Sequence, residues 1–203
     1  MNELLGKYPA EIQQILAKYP AERKQAAVMP LLYLAQREEG YITKESMTEI
    51  ASLLDLDVTE VASIVGFYTL YHDEKAGKYR MQICTDLPCA LRGADKFLEA
   101  LCGNLGIKVG ETTPDGLVTL EAVMCLAGCD KAPMFQIQDR DKVTYHENMT
   151  VDKTMELIEA LKKGASQEVK QWPTFFCVIA ISPRSRNWMF TSRMAASSLS
   201  RKP

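Results

Sequence analysis

The 203-residue sequence is poor in the residues and motifs that most chemistry needs. It has two histidines, and neither G-x-G-x-x-G nor G-x-x-x-x-G-K-[ST] occurs in it. A dinucleotide fold or a phosphate loop is therefore not signalled. No Ser/His/Asp arrangement stands out either. His72 and His146 each lack a second ligand at metal-binding spacing and read as surface or loop residues. Long apolar runs are also missing. The longest, residues 172–181, is interrupted by Pro173 and Thr174, and it is about half the ~20 residues of a membrane-spanning helix. The opening MNELLGKYPAEIQQ contains no uninterrupted apolar stretch of the secretory kind. A soluble, cytoplasmic chain without direct membrane insertion is the expectation. Finally, Asp and Glu are absent after Glu168, where six Lys/Arg remain. The formal net charge of −2 thus conceals an acidic body and a basic tail. A near-neutral whole gives no electrostatic footprint for nucleic acid.

What is present is ordinary globular material, 47% hydrophobic and 25% charged, in a length that suits one large domain or two small ones. The first 75 residues read as helices. Pro9-Ala-Glu11 opens one with Ile12, Ile15, Leu16 and Tyr19 at helical spacing. A second runs from Pro20 to about Arg37, with Pro30 expected to kink or split it and Gly40 to end it. Thr43 caps a third, whose inner face is Met47, Ile50, Ala51 and Leu54. Asp57-Val-Thr-Glu60 has the form of a capping box for a fourth. After Lys75-Ala-Gly77 the pattern changes. Tyr79–Ile83 and Val118–Met124 read as strands, each followed by a cysteine. Between them Ala90–Leu105 has helical period, with Leu91, Ala94, Phe97 and Leu101 on its apolar face, and Ile107–Val109 reads as a short strand. Met134–Gln138 and Val143–Tyr145 form a hairpin, and Thr150 caps a last helix stopped by Gly164. The expected fold class is α+β: a helical bundle over 1–75, a thioredoxin-like four-stranded mixed sheet with flanking helices over 76–165, and an atypical or disordered basic tail over 166–203.

The chemistry sits in the cysteines. Cys84-Thr-Asp-Leu-Pro-Cys89 is C-x4-C and Cys125-Leu-Ala-Gly-Cys129 is C-x3-C, each placed where a strand gives way to a loop. In such a sheet the two strand ends can lie side by side. Four thiolates would bind zinc, although structural zinc sites favour tight knuckles. Two disulfides would need an oxidising compartment. A 2Fe–2S cluster suits loops longer than C-x2-C, whose backbone N–H groups can point at sulfur. Leu87, Pro88, Ala90, Leu126 and Ala127 would supply the apolar wall, and Gly128 a close backbone approach. A dithiol oxidoreductase normally uses C-x-x-C, which neither pair has. Asp86, Glu121 and Asp130 would oppose an added electron, and Arg92 and Lys131 would favour it. Cys102, on the mid-chain helix, reads as a core thiol. Cys177 lies in the tail.

At these residues the chain resembles the E-type subunits of NADH-quinone oxidoreductase, respiratory complex I, which are thioredoxin-like 2Fe–2S ferredoxins. The resemblance is carried by Lys18-Tyr-Pro20, by Ala27-Val-Met-Pro-Leu-Leu-Tyr-Leu-Ala-Gln36 with Gly40-Tyr41, and by Gly66-Phe-Tyr-Thr69. It continues through Ile83–Gly93, Gly110-Glu-Thr-Thr113 and Cys125–Cys129 with Ala132-Pro133, and spans about residues 7–163. It implies that Cys84, Cys89, Cys125 and Cys129 hold one 2Fe–2S cluster. It also implies an electron carrier without a substrate site of its own, beside a partner subunit that binds FMN and NADH. The other peripheral-arm subunits of complex I would be further partners, and the assembly would lie on the inner face of the cell membrane. The same subunit type serves NAD-linked hydrogenases and formate dehydrogenases.

Overall fold

The computed structural model describes residues 3–140 and 142–164. The tail expected over 166–203, and Cys177 with it, lies outside the described residues.

The N-terminal half is helical: α1 (Glu3–Lys7), α2 (Pro9–Leu16), α3 (Val28–Glu39), α4 (Lys44–Leu54) and α5 (Val58–Phe67). The element expected over 20–37 is split, but before Pro30. A 3-10 stretch, Ala21–Ala27, holds the non-helical Arg23, and α3 then starts at Val28. Pro30 thereby falls in the first turn of α3, where a missing N–H leaves no hydrogen bond unmade. Capping follows the local chemistry. Thr43 Oγ1 accepts from the Ser46 N–H at 3.1 Å, and Asp57 and Glu60 form a reciprocal capping box. Met47, Ile50, Ala51 and Leu54 are all buried, where α4 packs on α1, α3 and α5.

The sheet comprises β1 (Tyr79–Cys84), β2 (Val118–Val123), β3 (Phe135–Gln138) and β4 (Val143–His146) in the order β2-β1-β3-β4. Its β1 and β2 run parallel, and the other two pairs are antiparallel. Alternation sorts the side chains. Met81, Ile83, Val118, Leu120, Phe135 and Ile137 form the main core with Phe97 and Leu101 of α7 (Ala94–Leu105) and Leu157 and Ile158 of α8 (Val151–Lys162). The other face carries Arg80, Gln82, Thr119, Gln136 and Gln138, all buried. Polar groups tolerate such burial only when bonded. Here Gln136 donates to Gln82, Gln82 to Glu121, and Arg80 pairs with Glu121 at 2.5 Å.

Three expectations are corrected. The helix read over 90–105 is two, α6 (Leu87–Leu91) and α7, because Gly93 takes a left-handed φ of 92° between them. The break re-phases Leu91, which is 81% exposed and not on an inner face. No strand forms at Ile107–Val109. The residues just after it bind β2 instead, with Gly110 N donating to Leu120 O and Thr113 N to Val118 O. Of the histidines, expected on the surface or in loops, His72 does lie in a loop and His146 does not. His72 is partly buried, its Nε2 2.9 Å from Gln138 Oε1 and its N–H donating to Gln36 Oε1. His146 ends β4, buried, with its ring stacked 5.0 Å from that of Phe135. A lone histidine on a strand is spent on packing when an aromatic partner lies on the neighbouring strand.

Candidate iron–sulfur site

The parallel pairing of β1 and β2 brings the two cysteine motifs to one end of the sheet. Cys84, the last residue of β1, is in register with Val123, the last of β2, and Cys125 follows two residues later. Beyond Cys84 the chain turns into α6. Asp86 Oδ1 accepts the Leu87 N–H at 3.0 Å, and Asp86 O accepts from Cys89 N and Ala90 N. Pro88 occupies the first turn, where proline is favoured. This cap folds Cys89 back inward: Cys89 and Cys84 are 0% and 1% exposed.

The second loop is strained in a way that serves sulfur. Ala127 adopts a left-handed φ of 60°, a conformation costing a residue with a Cβ about 1–2 kcal/mol. In that position its N–H donates to Cys125 Sγ at 3.3 Å. Gly128 next to it has an ordinary φ but no room: a Cβ there would lie 2.4 Å from Met134 Sδ. Cys129 then opens a 3-10 turn, Cys129–Lys131, and Lys131 pairs with Glu147 at 3.1 Å.

The four sulfurs differ in setting. Cys84 and Cys89 belong to a small apolar core with Ala94, Ala132 and Met134, against which Leu126 and Tyr145 pack. Cys125 is exposed and Cys129 partly so. Burial, followed by hydrogen bonding to the Cys84 thiol, pushes the Cys89 thiol up to about 12. Burial and the Cys125 thiol push Cys129 upward as well. Each motif thus pairs its own thiols, and the charges of Cys84, Cys125 and Cys129 all reach Cys89. No disulfide joins the described cysteines. Among the described residues, no three His, Cys, Asp or Glu side chains stand close enough to ligate one metal ion. The structure therefore gathers two thiol pairs at one sheet end without drawing them onto a single centre.

The donor set still fits an iron–sulfur group. Two pairs of thiols supply two sulfurs per iron, an N–H already points at one sulfur, and apolar side chains enclose the inner pair. Zinc would find the same sulfurs, but no tight knuckle. Of the wall expected from sequence, Leu126 packs on this core, whereas Leu87, Pro88 and Ala127 are exposed. Ala94, Ala132, Met134 and Tyr145 replace them. Ala94 and Ala132 lie close after a cysteine in sequence, whereas Met134, just before β3, and Tyr145, in β4, are announced by no spacing near the cysteines. Cys102 is partly buried against the main core. The expected charges are also modified: Glu121 is tied to Arg80 and Gln82, and Lys131 to Glu147.

The profile of the thioredoxin-like [2Fe-2S] ferredoxins matches residues 12–162. The chain belongs to that family. Among its family relatives, NADH-quinone oxidoreductase subunit 2 of Thermus thermophilus is 40% identical over 173 residues, covering 85% of this chain and 88% of the relative. An E-type NADH-quinone oxidoreductase subunit of Rhizobium meliloti is 38% identical over 139 residues, covering 68% and 80%. The fold likeness extends to a crystal structure of NAD+-reducing [NiFe]-hydrogenase, with a TM-score of 0.54 at 19% identity. That match covers 73% of this chain and 24% of the hydrogenase chain. Among the described residues, no helix of this ferredoxin-family chain is long and apolar enough to cross a membrane.

Proposed function

We propose that this chain is the electron-transfer subunit of an NADH:quinone oxidoreductase, and that Cys84, Cys89, Cys125 and Cys129 hold its one [2Fe-2S] cluster. The observation that carries the reading is the placement of both cysteine pairs at adjacent parallel strand ends, with the Ala127 N–H on Cys125 Sγ. Family membership supports the cluster, and two relatives at 38–40% identity bear the oxidoreductase's name. When bound, a cluster of this type accepts and returns one electron at a potential set by hydrogen bonds to sulfur, burial and nearby charge.

The chain's own residues then have defined tasks. The four thiols lose their protons on ligation. The Ala127 N–H offsets negative charge on Cys125. Ala94, Ala132 and Met134 keep water from the inner pair. Arg80 neutralises Glu121 on the polar face of the sheet. Leu87, Leu91 and Met124 adjoin the ligand loops and are 68%, 81% and 77% exposed. A flavin subunit carrying FMN and NADH would dock over these exposed apolar side chains, with the helical region 1–75 contributing to the same contact. The other peripheral-arm subunits complete the assembly, on the cytoplasmic face of the membrane. The likeness to the hydrogenase is one of fold alone, and the relatives' names favour the quinone-reducing complex.

The test is ligand exchange. Cys125→Ser should abolish or alter the reduced-state EPR signal while leaving the helical circular dichroism in place. An unchanged signal removes Cys125 from the ligand set.

A further inference from the structure

We infer that the cleft beside the helix-to-sheet connection is a binding site for a small, multiply charged oxyanion of the phosphate class. The cleft has a volume of about 270 Å³. It lies between the end of α3, the 72–78 connection and the β3–β4 turn. Arg80 brings it to the start of β1, the opposite end of that strand from Cys84. Lys75, Lys78, Arg80 and Arg140 line it, against the carboxylates of Glu39 and Asp139.

The excess positive charge is left open by the fold. Among the described residues, Lys75 has neither an ion pair nor a hydrogen bond. Lys78 is held only over the Tyr79 ring, 5.1 Å from its centroid. Arg140 makes no ion pair and donates to the main-chain carbonyl of Glu38 at 3.2 Å. Arg80 is the exception, being committed to Glu121 and to the Glu74 carbonyl. Three cations therefore face one small cleft against two carboxylates, Glu39 and Asp139, which leaves one positive charge in excess. That excess, on side chains free to swing over the cleft, favours a small anion.

Size narrows the ligand. Sites for drug-sized molecules run from roughly 300 to 1,000 Å³, so this cleft is too small for a whole dinucleotide. A phosphate or a phosphoryl group fits.

Titration calorimetry on the full-length chain at low ionic strength tests this, with inorganic phosphate and AMP as parallel probes and chloride at matched ionic strength as the control. Saturable phosphate binding with a Kd on the order of 1 mM is expected. Stronger binding of AMP would assign the phosphoryl group of a nucleotide as the source, and stronger binding of phosphate the free ion. Lys75→Gln and Arg140→Gln should each weaken binding about threefold, as for exposed charges, and Glu39→Gln should tighten it about twofold. All three side chains are exposed, so unchanged melting verifies that the variants fold. No saturable heat with either probe, or an unaltered Kd in the Lys75→Gln/Arg140→Gln double variant, would overturn the site. Neither result bears on the cysteines.

Discussion

The backbone N–H of Ala127 donates to Sγ of Cys125 at 3.3 Å, and Ala127 holds a φ of 60° to do it. A residue with a Cβ is spending conformational energy beside a candidate ligand, a pattern found where local strain serves a site. Glycine would take this φ freely, and a β-branched residue would resist it. Ala127→Gly should therefore be neutral or stabilising. Ala127→Val should lower unfolding free energy by about 1–2 kcal/mol. Denaturant melts of the two variants check this, and equal stabilities would remove the strain argument.

Gly128 is constrained by space and not by dihedral. A Cβ would meet Met134 Sδ at 2.4 Å and Cε at 2.9 Å, and Met134 is 2% exposed. A thioether is flexible, so Gly128→Ala should cost about 1 kcal/mol, the low end for overpacking. Pairing it with Met134→Val should recover most of that loss. A double variant no more stable than Gly128→Ala would show that the crowding lies elsewhere.

Asp86 separates charge from structure. Its carboxylate caps α6 through Leu87 N, and asparagine caps equally well. Asp86→Asn should therefore leave stability within about 0.5 kcal/mol. It should also raise the midpoint potential, because a negative charge near the ligand loops disappears. A redox titration showing no shift, or a fall, contradicts this. Arg80→Met should act the opposite way, exposing the charge of Glu121 and lowering the potential. It should also destabilise the fold by about 3 kcal/mol, the low end for breaking a buried pair.

His146 links stability to pH. Burial against Phe135 lowers its pKa from 6.5 to about 4. Between those values the unfolded chain binds a proton that the folded chain refuses, so stability falls as pH drops from about 6.5 to 4. His146→Phe keeps the stacked ring and removes the titration. Melting temperatures of the variant should decline less across that interval than those of the native chain. Parallel declines would assign the acid sensitivity to other groups.

Much of this is legible in the sequence because it is local. Thr43, Asp57 and Thr150 announce their helices through side chains that bond the next turn. The cysteines stand at strand ends because the alternation of β1 and β2 stops there. What escapes a sequence reading is set by distant partners or by one dihedral. Gly93 reads equally well inside a helix as between two, and only its left-handed turn exposes Leu91. Met134, just before β3, and Tyr145, in β4, enclose the cysteine pair at separations no local pattern encodes. His72 and His146 look solitary in sequence because Gln138 and Phe135, which they meet, both lie on β3.

Metal content decides the assignment. Anaerobically purified chain, reconstituted if necessary, should be red-brown and carry two irons and two acid-labile sulfides, as its family's [2Fe-2S] description requires. Colourless protein that takes up zinc, but neither iron nor sulfide, would contradict it.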